Sequence, residues 1–96
     1  MVTIRWTSEA YNWLKDIHDY IAREDHNKAK SVVRDIFQRV QILKEFPKIG
    51  QRHKIINEGE IRILLFGHYR IGYLIKDKEN IDILGVFHGS LDLDRY

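Results

Sequence analysis

The first third of the chain shows a short alternating stretch followed by apolar positions at a helical period. Apolar and polar residues alternate at residues 2–6, which predicts a strand. Apolar side chains then return every three or four positions, which predicts a helix at about residues 8–24. Thr7 or Ser8 suits the N-cap of this helix, because a hydroxyl can accept a hydrogen bond from a free N–H of the first turn.

A second helical stripe follows after a polar break. Asn27 is the expected N-cap, and the stripe continues to about residue 45. Pro47 ends the pattern because proline lacks an N–H and disfavours helical geometry in the residue before it. Two helices joined by so few residues are expected to pack as an antiparallel hairpin.

Beyond Pro47 the period of the apolar pattern changes from 3.6 to 2, which indicates strands. The predicted strands cover residues 53–57, 61–66, 69–76 and 81–88. The links between them are short and rich in Gly, Asp and Asn, which favours an antiparallel meander. The sequence therefore predicts an α+β fold: an N-terminal strand and an antiparallel helical hairpin packed on one face of a mainly antiparallel, twisted sheet.

The alternation in the last two strands also predicts their register. If their apolar sets share one face, Ile75 lies opposite Ile83 and Arg70 lies opposite His88. This register places Arg70 and His88 side by side on the face away from the helices. Arg62 joins them if the preceding hairpin keeps the same register.

Length and composition restrict the class of protein. The 96 residues allow one domain, residues 1–96, and the absence of cysteine excludes disulfides and thiolate metal sites. No apolar run approaches the roughly 18 residues that span a bilayer, and the N-terminus lacks a signal-peptide layout. The histidines show no metal-ligand spacing. We therefore expect a cytoplasmic protein with no metal and no cofactor.

The formal net charge of +2 conceals an uneven distribution. Residues 26–56 carry eight bases and two acids, a surplus of +6. Most of these bases are explained by the solvated face of the second helix. Lys48, Arg52 and Lys54 follow that helix and are candidate contacts for a target protein or a nucleic acid, together with Arg62.

The order of elements carries a set of landmarks that together resemble one family. They are Trp6, Ala10, Ile17, Tyr20-Ile21, Phe46-Pro47-x-x-Gly50, Tyr69-Arg70-Ile71-x-Tyr73 and Ile83-Leu84-x-Val86-x-His88-Gly89. This set, which covers essentially the whole chain, resembles the RelE/ParE toxin superfamily. Its members are the toxic halves of type II toxin–antitoxin modules.

Two details make the chain more similar to the ParE branch. The ending His-Gly-x-x-Asp resembles that branch, and Ile61, Ile63 and Leu65 occupy strand positions where RelE-like nucleases typically carry lysines. Leu91 departs from both branches, which commonly have arginine there. The resemblance implies a plasmid-stabilisation-type toxin that binds an essential target such as DNA gyrase and is neutralised by a cognate antitoxin.

Two alternatives stay open at this stage. A RelE-like, ribosome-dependent mRNA endoribonuclease would use Arg70 for the phosphate charge and His88 with Tyr96 as acid and base. The chain could instead be an inactive antitoxin-binding module of the same fold. A structural role for Arg70, such as pairing with Asp82, is also open, as are a homodimer and a toxin–antitoxin hetero-oligomer.

Overall fold

In a computed structural model, which describes residues 1–88, two helices pack on one face of a five-stranded sheet. The elements are β1 Thr3–Trp6, α1 Ser8–Ala22, α2 His26–Val40, a 3₁₀ turn Gln41–Lys44, β2 Gln51–Ile56, β3 Gly59–Phe66, β4 Tyr69–Ile75 and β5 Asn80–His88. The strand order is β1-β5-β4-β3-β2, with β1 parallel to β5 and the other neighbours antiparallel. The predicted α+β fold and its antiparallel meander are confirmed.

The first helix starts at the predicted residue, and the second starts slightly earlier. The Thr7 hydroxyl accepts a hydrogen bond from the Ala10 N–H at 3.1 Å and donates one to the Ile83 carbonyl at 2.8 Å. This side chain therefore caps α1 and ties it to β5. The cap of α2 is Asp25, whose carboxylate accepts from the Lys28 N–H at 3.0 Å. The prediction of Asn27 was wrong because the first turn already begins at residue 26.

The core lies between the helices and the inner face of the sheet. Both predicted helical stripes face it, and the largest fully buried side chain is that of Tyr73 on β4. The Trp6 ring lies 4.5 Å from that of Phe37, so the first strand joins α2 through aromatic packing. None of the helices within residues 1–88 combines the length and apolar character that a membrane span requires.

The register between β4 and β5 differs from the prediction. Ile75 pairs with Ile81, and Arg70 pairs with Phe87. The changed face of His88 results from an irregularity in β5, where the pairing shifts between Gly72 and Tyr73 and one residue of β5 has no direct partner. A strict alternation cannot anticipate such a bulge, because it moves all later residues of the strand to the opposite face.

Candidate functional site

The loop between the 3₁₀ turn and β2 carries the Phe46-Pro47-x-x-Gly50 landmark, and side chains of the sheet hold its backbone in place. The Tyr73 hydroxyl donates a hydrogen bond to the Pro47 carbonyl at 2.7 Å and accepts one from the Gly50 N–H at 3.0 Å. Burial raises the pKa of the Tyr73 phenol above its ordinary value of 10.0. The phenol therefore stays protonated at neutral pH and serves as donor and acceptor together.

The glycine in this landmark is required by the close approach of the loop to the sheet. A Cβ at position 50 would lie 2.7 Å from the Ile63 carbonyl oxygen and 2.7 Å from the Tyr73 hydroxyl. Both distances are shorter than a van der Waals contact allows. A larger residue at Gly50 would therefore push the loop away from the sheet and weaken its hydrogen bonds.

Arg62 holds the same loop from the neighbouring strand. Its Nη1 donates to the Lys48 carbonyl at 3.0 Å and to the Gly50 carbonyl at 2.6 Å. The prediction that Arg62 faces away from the helices was wrong, because Arg62 pairs with Tyr73, whose side chain points into the core. The side chain of Arg62 is only 13% exposed. The guanidinium of Arg62 therefore binds groups of this chain and is not available to a partner.

A carboxylate offsets the charge of Arg62 and also that of Arg52. Glu60 Oε2 lies 2.7 Å from Arg52 Nε and 3.1 Å from Arg62 Nη2. The two arginines are directly opposite each other across β2 and β3, where like charges repel. The hydrogen bond from Arg52 is the largest cause of a Glu60 pKa below its ordinary value. Glu60 therefore partly neutralises the charge of Arg52, which weakens the attraction of Arg52 for an anionic partner.

The predicted basic cluster after the second helix does not form one patch. Lys54 pairs with Ile61, so it lies on the face away from the helices, while Arg52 lies on the helix face. Lys48 is exposed and lines a groove of about 440 Å³ at the β4–β5 end of the sheet. That groove is also lined by Lys78 from the β4–β5 turn. No pattern in the sequence predicts that Lys78 lies beside Lys48, because only the strand order of the sheet brings the two loops together.

Two large apolar side chains are exposed on the same loop. Phe46 is 55% exposed and Ile49 is 47% exposed. Phe46 continues the apolar pattern of the second helix in the sequence, but it follows the end of the 3₁₀ turn and therefore lies outside the core. Together with Pro47 and Lys48 these residues line a shallow depression beside the lysine groove.

Arg70 and His88 do not come together. Arg70 is opposite Phe87, whereas His88 is opposite Tyr69, one position along β4. Successive residues of a strand point to opposite faces, so the two side chains leave opposite faces of the sheet. The rings of Tyr69 and His88 are 5.3 Å apart on the helix side. Of these two residues, only Arg70 lies on the face away from the helices, where the sequence predicted both.

Asp82, the candidate structural partner of Arg70, is paired with other basic residues. Asp82 accepts hydrogen bonds from Arg5 at 3.2 and 2.8 Å, and Lys76 Nζ lies 3.4 Å from the same carboxylate. Arg70 therefore keeps an exposed guanidinium.

His88 borders a groove of about 350 Å³ beside α1. The other walls are mainly aromatic and aliphatic, with Trp13, Tyr20 and Tyr69 among them. Burial raises the pKa of the Tyr69 phenol. Such a groove suits an apolar side chain better than a phosphate group.

The remaining sequence-predicted positions lie beyond the described part of the chain. Tyr96 and Leu91 fall outside residues 1–88. Within those residues, no three His, Asp or Glu side chains gather in a way that could hold a metal ion.

Comparisons with known proteins agree with this fold. The sequence model of the ParE toxin of type II toxin–antitoxin systems matches residues 4–93. The chain is 35% identical over 85 residues to Y4kP of Sinorhizobium fredii (strain NGR234), which is described as a candidate toxin; the match covers 88% of this chain and 85% of that protein.

A solved structure shows the same architecture. It is a chromosomal ParDE toxin–antitoxin system from P. aeruginosa, with a TM-score of 0.76 at 24% identity, over 94% of this chain and 98% of that one. At this identity the likeness establishes the fold, while the matched family model covers nearly the whole sequence. The chain therefore belongs to the ParE toxin family of type II toxin–antitoxin systems.

Proposed function

We propose that this chain inhibits growth by binding an essential target such as DNA gyrase, without turnover of a substrate, and that a cognate antitoxin neutralises it. The observation that carries this proposal is the separation of Arg70 and His88 onto opposite faces of the sheet. Family membership supports the toxin role and the antitoxin partner.

RNA cleavage by a ribose 2′-hydroxyl requires several groups around one phosphate. A base removes the hydroxyl proton, an acid protonates the leaving oxygen, and a cation stabilises the added negative charge. Arg70 and His88 were the candidates for this arrangement, and from opposite faces they cannot surround one phosphate. Their placement favours binding over cleavage.

Induced expression in bacteria, alone and together with the cognate antitoxin, tests the proposal. We expect growth arrest that co-expression of the antitoxin relieves, and inhibition of supercoiling when the purified protein is added to gyrase. Antitoxin binding without growth arrest would instead identify an inactive module. Growth arrest with gyrase unaffected would point to another target.

The double variant Arg70→Ala/His88→Ala separates binding from cleavage. We expect it to arrest growth as the wild type does, because neither residue is needed for a binding mechanism, and primer extension should find no new cuts in translated mRNA. Cuts made by the wild type and lost in the variant, together with loss of growth arrest, would show that the chain is a nuclease.

A further inference from the structure

We infer that the exposed end of the Pro/Gly loop and the groove beside it dock an acidic surface of the toxin's target protein. This Phe46 surface consists of Phe46, Lys48, Ile49 and Lys78, four exposed residues from two separate loops. The inference rests on the proposed function, since it names the surface and the chemistry by which that target is bound.

The backbone that carries the apolar part of the surface is hydrogen-bonded to the sheet before binding. Tyr73 and Arg62 together make four hydrogen bonds to the backbone of residues 47–50. Within the loop, the Ile49 N–H also donates to the Phe46 carbonyl at 3.1 Å. The ordering cost that binding usually imposes on a loop is therefore already met by folding. Two apolar side chains on a preorganised backbone, one of them aromatic, suit the anchor role in a protein interface.

The groove carries a net positive charge, because Lys48 and Lys78 outnumber Asp77, the one lining carboxylate without an ion pair within residues 1–88. The exposed Glu45 lines only the neighbouring depression. The groove contains Glu60 and Asp77 besides the lysines. Arg52 and Arg62 hold Glu60, and Asp77 accepts from the Glu79 N–H at 2.8 Å and from the Asn80 side-chain amide at 3.0 Å.

The lysines of the groove differ in whether a carboxylate of the same chain neutralises them. Lys76 is paired with Asp82. Lys48 and Lys78 make no ion pair within residues 1–88, so their charges face the groove uncompensated by a carboxylate contact. The complementary partner is an apolar pocket bordered by carboxylates.

A protein partner fits this surface better than a nucleic acid. Ile49 has no aromatic face on which a base could stack, and a phosphate backbone in the groove would approach the carboxylates of Glu60 and Asp77. A partner carboxylate on a side chain can reach Lys48 or Lys78 singly and avoid both acids.

The first test removes the apolar anchors. We expect Phe46→Ser/Ile49→Ser to require at least about tenfold more inducer for half-maximal growth arrest, because centrally placed anchors contribute most of the binding energy. The matched control is Leu65→Ser, since Leu65 is 61% exposed but lies on the other face of the sheet, opposite Arg70. Melting temperatures equal to that of the wild type establish that both variants are folded. An anchor variant as toxic as the wild type overturns the inference.

The second test reverses the charge. We expect Lys48→Glu/Lys78→Glu to lose growth arrest and Lys48→Arg/Lys78→Arg to keep it, while Lys30→Glu, an exposed position on α2, has no effect. Toxicity unchanged by the charge reversal overturns the acidic partner. So does tight binding of a short DNA duplex that depends on the two lysines but not on Phe46 and Ile49.

Growth arrest by the wild-type chain separates a failure of the proposed function from a failure of this inference. A wild-type chain that leaves growth unaffected overturns the proposed function and, with it, this inference. A toxic wild type beside an equally toxic anchor variant overturns the inference alone.

Discussion

Single side chains in the middle of the sheet determine where the exposed loop of this toxin lies. Tyr73 is completely buried and joins a core strand to the carbonyl of Pro47 and the N–H of Gly50. The Phe-Pro-x-x-Gly landmark is thus a structural requirement: glycine avoids a contact with the Tyr73 hydroxyl, and the loop then projects Phe46 into solvent. Tyr73 and Gly50, two residues of the family signature, position the candidate binding surface without belonging to it, whereas Phe46 belongs to both the signature and the surface.

Removal of one hydroxyl tests this role. We expect Tyr73→Phe to lower the free energy of unfolding by about 1–3 kcal/mol, because it leaves the buried Gly50 N–H and the partly buried Pro47 carbonyl without this partner. Tyr20→Phe is the matched control, since Tyr20 is 73% exposed. Loss of the Tyr20 hydroxyl should lower the free energy of unfolding by less than about 0.5 kcal/mol. Urea denaturation of the three proteins gives the comparison. Equal stability of Tyr73→Phe and the wild type would contradict the role of the hydroxyl.

At the scale of the elements, the helices follow the sequence closely and the strand pairing does not. Helix positions depend on local signals, namely a period of 3.6 and a side-chain oxygen at the start. The pairing of β4 with β5 depends on a bulge next to the Gly72–Gly85 pair. The Phe87 ring lies so close to this pair that a Cβ on Gly85 would be 2.7 Å from it. Apolar alternation carries no signal for that bulge, so the sequence assigned His88 to the wrong face.

The N-cap of α2 distinguishes the sequence-based prediction from the structure. Asp25→Ala should cost about 1 kcal/mol, because it removes the acceptor of the Lys28 N–H. Asn27→Ala, at the residue that the sequence favoured, should change the stability by less than about 0.5 kcal/mol. Thermal unfolding followed by circular dichroism measures both. The reverse order of the two effects would contradict the structure.

At the scale of the whole molecule, one carboxylate joins the first strand to the last hairpin. Asp82 on β5 binds Arg5 of β1 and Lys76, which follows β4. Burial by itself would raise the pKa of this carboxyl, but the hydrogen bonds and charge of Arg5, assisted by Lys76, outweigh it and hold the pKa below the ordinary value of 3.8. Regions some 77 positions apart in the sequence thus share one ionised group.

This lowered pKa implies a dependence of stability on acid. A carboxyl with a depressed folded pKa stabilises the fold above its unfolded pKa, and the contribution disappears as the pH falls through the folded pKa. We therefore expect Asp82→Asn to be less stable than the wild type at neutral pH, and the difference to shrink once the pH falls below 3.8. Urea denaturation of both proteins from about pH 7 to about pH 2 measures this. A difference that stays constant over the range would show that the ion pair does not contribute.

The sequence by itself determined the elements, the fold class and the family of this protein. Helical and strand periods, caps and turn residues are local, and each limits the backbone of its own segment whatever the rest of the chain does. Arg62 is a residue whose role these local signals did not predict. Its residue type suggested a contact with a target, but its pairing with Tyr73 directs it towards Glu60 and the loop. Only the tertiary structure separated Arg70 from His88 and brought Lys78 beside Lys48. Those outcomes depend on one bulge and on the order of strands in the sheet, and both result from the packing of distant segments.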